Sequence, residues 1–249
     1  MRTPALPGRP VIHAEWIKTR SLRSTLWTLA AVFLATVGVT VLGTALTDGE
    51  ADGAAGDALF PLFQGVAFGQ IAALAFGATA VACEFQNGAL RITLCAVPDR
   101  TRFYLAKTAV IGALSLGVGT SAGLASYLCG QGFRHAGTAG PGAAEVGRAI
   151  LGSGAYLASM ALLAAGLTAL VRSGTAVLGI LIPFVLIVSY VVGDVAGGAA
   201  EFLPDRAGQL VLHQGAGDAL GPWSGLGVTA LWSAGALVAG CLAVRRRDA

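Results

Sequence analysis

Residues 25–46 read TLWTLAAVFLATVGVTVLGTAL, a run without one Asp, Glu, Lys or Arg. A helix needs about 20 mostly apolar residues to cross the hydrocarbon of a bilayer. This run is long enough, and five others resemble it. They lie at roughly 59–82, 107–129, 148–171, 175–192 and 223–244. The whole chain of 249 residues carries 12% charged and 55% hydrophobic side chains, about half the charge usual in a soluble domain. The reading is an all-α polytopic membrane protein with six transmembrane helices, forming a single transmembrane domain over 1–249. The fifth run contains Pro183, which membrane helices accommodate with a kink. The first run is too long, and its leading segment too extended, for a cleaved signal peptide.

Orientation follows from the Lys and Arg of the short loops. With the N-terminus inside, 13 of the 16 Lys and Arg fall in cytoplasmic segments, and only Arg134, Arg148 and Arg206 fall outside. The acids mirror this. Asp48, Glu50, Asp52 and Asp57 crowd the first outer loop, and Asp194, Glu201, Asp205 and Asp218 sit in the outer loop at 194–222. Both termini are therefore expected to be cytoplasmic, in a multi-pass protein of the cell membrane. Nothing in the composition points to nucleic acid. Four cysteines, Cys83, Cys95, Cys129 and Cys241, show no ligand spacing and read as small apolar residues.

Residues 1–24 form the basic lead-in to the first span, with Glu15, Trp16, Lys18, Arg20 and Arg23. Its charges suit anionic head groups, at about 1 kcal/mol each near the surface. As a helix it has no clean amphipathic face. Ile12, Trp16, Ile17 and Leu22 scatter around the axis, as do Lys18, Arg20 and Arg23.

The longest cytoplasmic connection, residues 83–106, begins with Glu84, Phe85, Asn87, Gly88 and Arg91. Glu84, Asn87, Gly88 and Arg91 share one stripe of a helix, and Val97-Pro98-Asp99 breaks it. Two readings stay open: a solvated loop, or a short helix seated in a groove of a cytoplasmic partner. The outer stretch EFLPDRAGQLVLHQ, Glu201–Gln214, is either a loop or a short helix at or dipping into the outer interface.

Several classes are disfavoured. A P-loop needs Gly-Lys-Ser/Thr after a Gly-rich turn, but Ile17 precedes Lys18, Ala106 precedes Lys107, and the chain has no other lysine. The span cores lack charges that would mark ion coupling. Gln64 and Gln70 are candidates for a polar translocation path, or for helix–helix hydrogen bonds. His13, His135 and His213 are dispersed, so no metal site assembles by spacing. An intramembrane enzyme lacks its converging acids or nucleophile. The pairs Gly65–Gly69 and Gly119–Gly123 need nothing beyond close helix packing.

In sum the chain resembles the permease subunits of ABC-2 type transporters, the compact kind of high-GC Gram-positive bacteria. The stretches that carry the likeness are EWIKTRSLRSTLWTL (15–29), CEFQNGALRITLCAVPDRTRFYLAK (83–107), LPDRAGQ (203–209) and AVRRRDA (243–249). The resemblance implies an ABC-2, type V exporter-like fold and a second permease copy, identical or related. It also implies a separate ABC ATPase subunit that holds ATP and Mg, so this chain binds no cofactor itself. By the same match the lead-in is an interfacial connecting helix. Glu84, Gly88 and Arg91 fall on the motif of the ATPase-coupling helix, with Glu84 and Arg91 making its charged contacts. Ala89 departs from the Thr frequent there. The implied activity is export of a hydrophobic or amphiphilic compound such as a drug, antibiotic or lipid. The alternative is a non-transporting membrane interaction or immunity protein.

Overall fold

The computed structural model describes residues 8–21, 23–46, 57–85, 99–133, 140–189, 191, 197–215 and 220–246. Helix α1 spans Gly8–Ser21 and α2 spans Arg23–Leu46. After a 3-10 turn at Phe60–Leu62 come α3, Val66–Phe85, and α4, Arg100–Gln131. Helix α5 spans Ala143–Val171, and α6, Gly174–Pro183, runs on into a π-helical turn at Phe184–Val188. The short α7, Pro204–Gln209, is flanked by 3-10 turns at Gly197–Phe202 and Leu210–Leu212. Helix α8, Pro222–Arg246, completes the order. Among the described residues there is no strand, and α2, α3, α4, α5 and α8 are each long and apolar enough to cross a membrane. The chain has the architecture of an all-α polytopic membrane protein.

Local chemistry sets the helix ends. Asp99 caps α4 by accepting from the amides of Thr101 and Arg102 at 3.1 and 3.2 Å, which satisfies donors the first turn leaves open. The rest of the Val97-Pro98-Asp99 break expected from the sequence lies outside the described residues. Ser173 caps α6 through the Ala176 amide. Between them Arg172 ends α5 in the left-handed region, at φ 62°, the usual way a helix is stopped.

Helix α5 is the axis of the bundle and packs against α3, α4 and α8. Its sequence GSGAYLASMALLAAG is rich in small residues, so neighbours approach its backbone closely. A Cβ on Gly77 of α3 would lie 1.9 Å from the Ala161 carbonyl, and one on Gly166 would lie 2.5 Å from the backbone of Ala236. Both glycine pairs in the sequence serve such approaches. Gly65 and Gly69 meet Thr36 of α2, while Gly119 and Gly123 meet Gly154 and Ser153 of α5. Helix α2 turns a buried stripe of Leu29, Val32, Thr36, Thr40 and Thr44 inward. The hydroxyls of its last three threonines donate to carbonyls of the preceding turn, so the stripe is polar in sequence but satisfied in structure. The outward faces of α2 and α8 carry exposed Trp27, Leu34, Leu42, Leu231, Trp232 and Val238, the pattern of a surface made for lipid rather than water.

Two segments are sharpened by the structure. The fifth apolar run is helical in its described residues but carries an irregular turn. Pro183 has no amide to donate and crowds the preceding turn, and α6 passes into the π turn behind it. Among the described residues its apolar helical part covers Gly174–Ile187, about 21 Å at 1.5 Å per residue, and Ser189 and Val191 are helical as well. The stretch 201–214 is helical and dips into the bundle. Thr229 donates to the Pro204 carbonyl at 2.7 Å, and Trp232 Nε1 donates to the Phe202 carbonyl at 3.1 Å. Those partners sit two to three turns inside α8, so α7 lies roughly 10 Å below its first residue.

The helices also sort into two ends. Arg100, opening α4, donates to the Val244 carbonyl near the end of α8. Gly174, opening α6, packs on Ala82 near the end of α3, and α1 packs against α4. The first and last described helices thus meet at one end of the bundle.

Candidate functional site

At that end the chain builds a knot of four charges. Glu15 and Lys18 project from α1 three residues apart, on one face. Glu84 comes from the last turn of α3, and Lys107 from the second turn of α4. The amines of Lys18 and Lys107 each stand 2.5 Å from the same oxygen, Glu84 Oε1. Lys107 Nζ also stands 3.4 Å from Glu15 Oε2 and 5.9 Å above the Phe103 ring. Glu84 is 2% exposed and Lys107 7%. Two carboxylates face two ammoniums, so the knot is neutral. Buried charges are tolerated only when paired and hydrogen-bonded in this way.

Glu84 is thus buried at the end of α3. Its carboxylate points into the bundle rather than out toward a partner, because α3 continues as helix to Phe85 and turns position 84 onto the face that meets α1 and α4. Phe85 lies under the Arg172 guanidinium, 5.8 Å from the ring centroid, a cation–π contact that joins the ends of α3 and α5. Asn87, Gly88, Arg91 and the side chain of Arg20 lie outside the described residues. In the lead-in, Glu15 is buried, Lys18 is part-buried, and Trp16 and Arg23 are exposed. The structure thus joins Glu15, Lys18 and Glu84 and adds Lys107, which sequence reasoning took only as the start of a span. The sequence offered only the rarity of lysine, two in the chain; that both meet on one oxygen is a tertiary fact.

No family model and no curated protein matches the chain.

Deeper in the bundle lies a chain of polar contacts. Tyr156 of α5 donates its hydroxyl to Gln70 Oε1 of α3 and accepts from Gln209 Nε2 of α7 at 3.3 Å. Gln70 is therefore engaged in helix–helix hydrogen bonding. Gln64, half-buried, sets its amide against Gly43 of α2, where a Cβ would lie 2.1 Å from Nε2. Gln209 also lines a half-open cavity of about 410 Å³ whose other polar walls are Ser189, Glu201, Asp205, Arg206 and His213. Ser189, just past the π turn, donates to Asp205 Oδ1 at 2.6 Å.

Beside this cavity a clasp closes the end opposite the knot. His213 Nδ1 and Asp57 Oδ2 are 2.8 Å apart, and the His213 ring stacks on Phe60 with centroids 4.3 Å apart. Gln214 receives the Ala58 amide and donates to Glu145, at 2.9 and 3.0 Å. Arg148 donates to the His213 carbonyl at 2.5 Å. Burial pushes the Asp57 carboxyl up, but the amides of Phe60 and Leu59 and the His213 side chain outweigh it and hold the group below its ordinary 3.8. Among the described residues no cluster of His, Cys, Asp and Glu is suited to hold a metal ion.

Proposed function

We infer that the chain is the membrane-spanning permease subunit of an ATP-binding-cassette transporter, an exporter of a hydrophobic or amphiphilic compound driven by a separate ATPase subunit. The observation that carries this reading is the knot on Glu84. It stands at the root of the Glu-x-x-x-Gly-x-x-Arg segment, and it ties that root to the lead-in helix through Lys18 and to α4 through Lys107. A partner pressing on residues 86–98 therefore acts on α1, α3 and α4 together, because ion-paired, close-packed helices move as a unit. Neither lysine lies in a P-loop, so the energy comes from the partner. In this reading Arg91, not Glu84, supplies the outward charge, and Glu84 is the anchor behind it. The ends with the basic residues face the cytoplasm, and a second permease copy completes the pathway.

The test is a pull-down of the tagged chain from native membranes in mild detergent, with mass spectrometry and an ATPase assay on the eluate. The expected result is co-recovery of a P-loop ATPase that Arg91→Glu abolishes while the chain still folds. An eluate free of ATPase overturns the reading in favour of a membrane interaction or immunity protein.

A further inference from the structure

The cavity between α6 and α7 is built around a buried carboxylate, with one guanidinium, Arg206, on the same wall. Asp205 is 4% exposed. Its side-chain hydrogen bond is with the Ser189 hydroxyl, and the Arg206 guanidinium acts on it electrostatically from the same wall without an ion-pair contact. A buried carboxylate with no direct ion pair gains from a cation that reaches it. Glu201 adds a second carboxylate to the walls and Arg206 one guanidinium, so the lining carries an excess of negative charge. His213, the remaining titratable wall, is held by Asp57 and stacked on Phe60.

The backbone around the cavity is as unusual as its charge. Irregular backbone inside a helical bundle is tolerated where it lines a cavity. Here a π turn ends on Ser189 at one wall, and the dipping 204–212 segment forms another. Turns of this kind cluster at functional sites. The volume, about 410 Å³, falls within the roughly 300–1,000 Å³ of small-molecule sites. A bare metal ion does not match it, since hard cations want several converging oxygens and no such cluster exists among the described residues. Val185 and Leu210 supply an aliphatic wall beside the carboxylates, which suits a carbon skeleton attached to the positive group.

We propose that this cavity binds an organic amine, its ammonium on Asp205 and its carbon skeleton against Val185 and Leu210. The hydroxyl of Ser189 orients the carboxylate, and Gln209 ties the cavity floor to Tyr156 and through it to Gln70. Occupation of the site is thereby felt by α3 and α5. The inference does not depend on the transport reading: failure of ATPase recovery leaves it standing, and failure of amine binding leaves the transport reading standing.

The test uses the full chain in nanodiscs of zwitterionic lipid, with empty nanodiscs subtracted. Dansylcadaverine, a fluorescent primary amine, is titrated beside its N-acetyl derivative, which has the same skeleton and no charge. The expected result is at least about tenfold tighter binding of the amine, equivalent to about 1.4 kcal/mol, with the preference lost in Asp205→Asn. Equal binding of the two probes to the unmodified chain overturns the proposal, as does an unchanged preference in a folded Asp205→Asn. If that variant does not fold, Leu210→Trp fills the cavity with the carboxylate intact. Loss of amine binding there sustains the proposal, and undiminished binding overturns it.

Discussion

Glu84 is one carboxylate with two ammoniums on a single oxygen, and that geometry makes its removal expensive. Taking one partner from a buried pair leaves an uncompensated charge, at about 3–5 kcal/mol. Glu84→Gln is therefore expected to lower stability by about 3 kcal/mol in denaturant titrations of the solubilised chain, and Lys107→Met by a similar amount. The double variant should lose less than their sum, by at least about 1 kcal/mol, because the two side chains are in contact. Additive losses would show that the knot is not a unit. Lys18→Ala should cost under about 1 kcal/mol, since the Lys18 side chain is 37% exposed and water screens it. At this scale the sequence was partly legible. Glu15, Lys18 and Glu84 stood out as charges, but their pairing runs over 66 residues to Glu84 from Lys18 and 92 to Lys107 from Glu15, distances that no helical periodicity encodes.

Among the elements, α5 shows how packing rests on missing side chains. Gly77→Ala must part α3 from α5, because its Cβ meets backbone that cannot rotate away. The expected cost of such overpacking is about 1–3 kcal/mol. Gly235→Ala on α8 meets nothing within 4 Å, so it should be neutral or gain up to about 1 kcal/mol from helix propensity. A thermal-shift comparison of the two variants checks the contrast, and equal shifts would contradict the packing described. The Asp57 clasp makes a prediction of its own. The carboxyl is held below 3.8, so its contribution is present above that value and is lost as pH falls through the lower folded value. Asp57→Asn should therefore be less stable than the parent at pH 7, by on the order of 1 kcal/mol per weakened hydrogen bond, and the gap should narrow as pH falls below 3.8. A gap that does not change with pH below that value would assign the loss to packing rather than charge. The glycine pairs at 65–69 and 119–123 were legible as close-packing signals, whereas the π turn was not. The sequence showed Pro183 but not which way the chain yields around it, because that depends on the long-range packing of the helix, in which Ser189 meets Asp205.

For the molecule as a whole, the contacts at the helix ends show which helices share an end of the bundle. Lys107 reaches Glu15, and Arg100 reaches Val244, so the N-terminal and C-terminal helices share an end. Reporter fusions at the two termini are expected to report the same side of the membrane, and opposite sides would mean that the α6 segment and the dipping α7 do not together complete a crossing. The apolar outer faces of α2 and α8 and the close-packed α5 give the bundle a wet-to-dry order that is reversed from a soluble protein. Along α5 small residues let neighbouring backbones approach, because lipid offers no hydrophobic drive and close contact must hold the helices together.

Composition and run length alone determined that this chain is helical and built to cross a membrane, since some 20 uncharged apolar residues in sequence have few alternatives. They also located five of the long helices to within a few residues at most ends. Only the tertiary structure decided the rest. It turned Glu84 inward onto both lysines, folded 201–214 into the bundle, and set Asp205 on the wall of a cavity. The physical reason is range: apolar periodicity is a local property of the chain, while a charge's partner is fixed by which helices pack side by side.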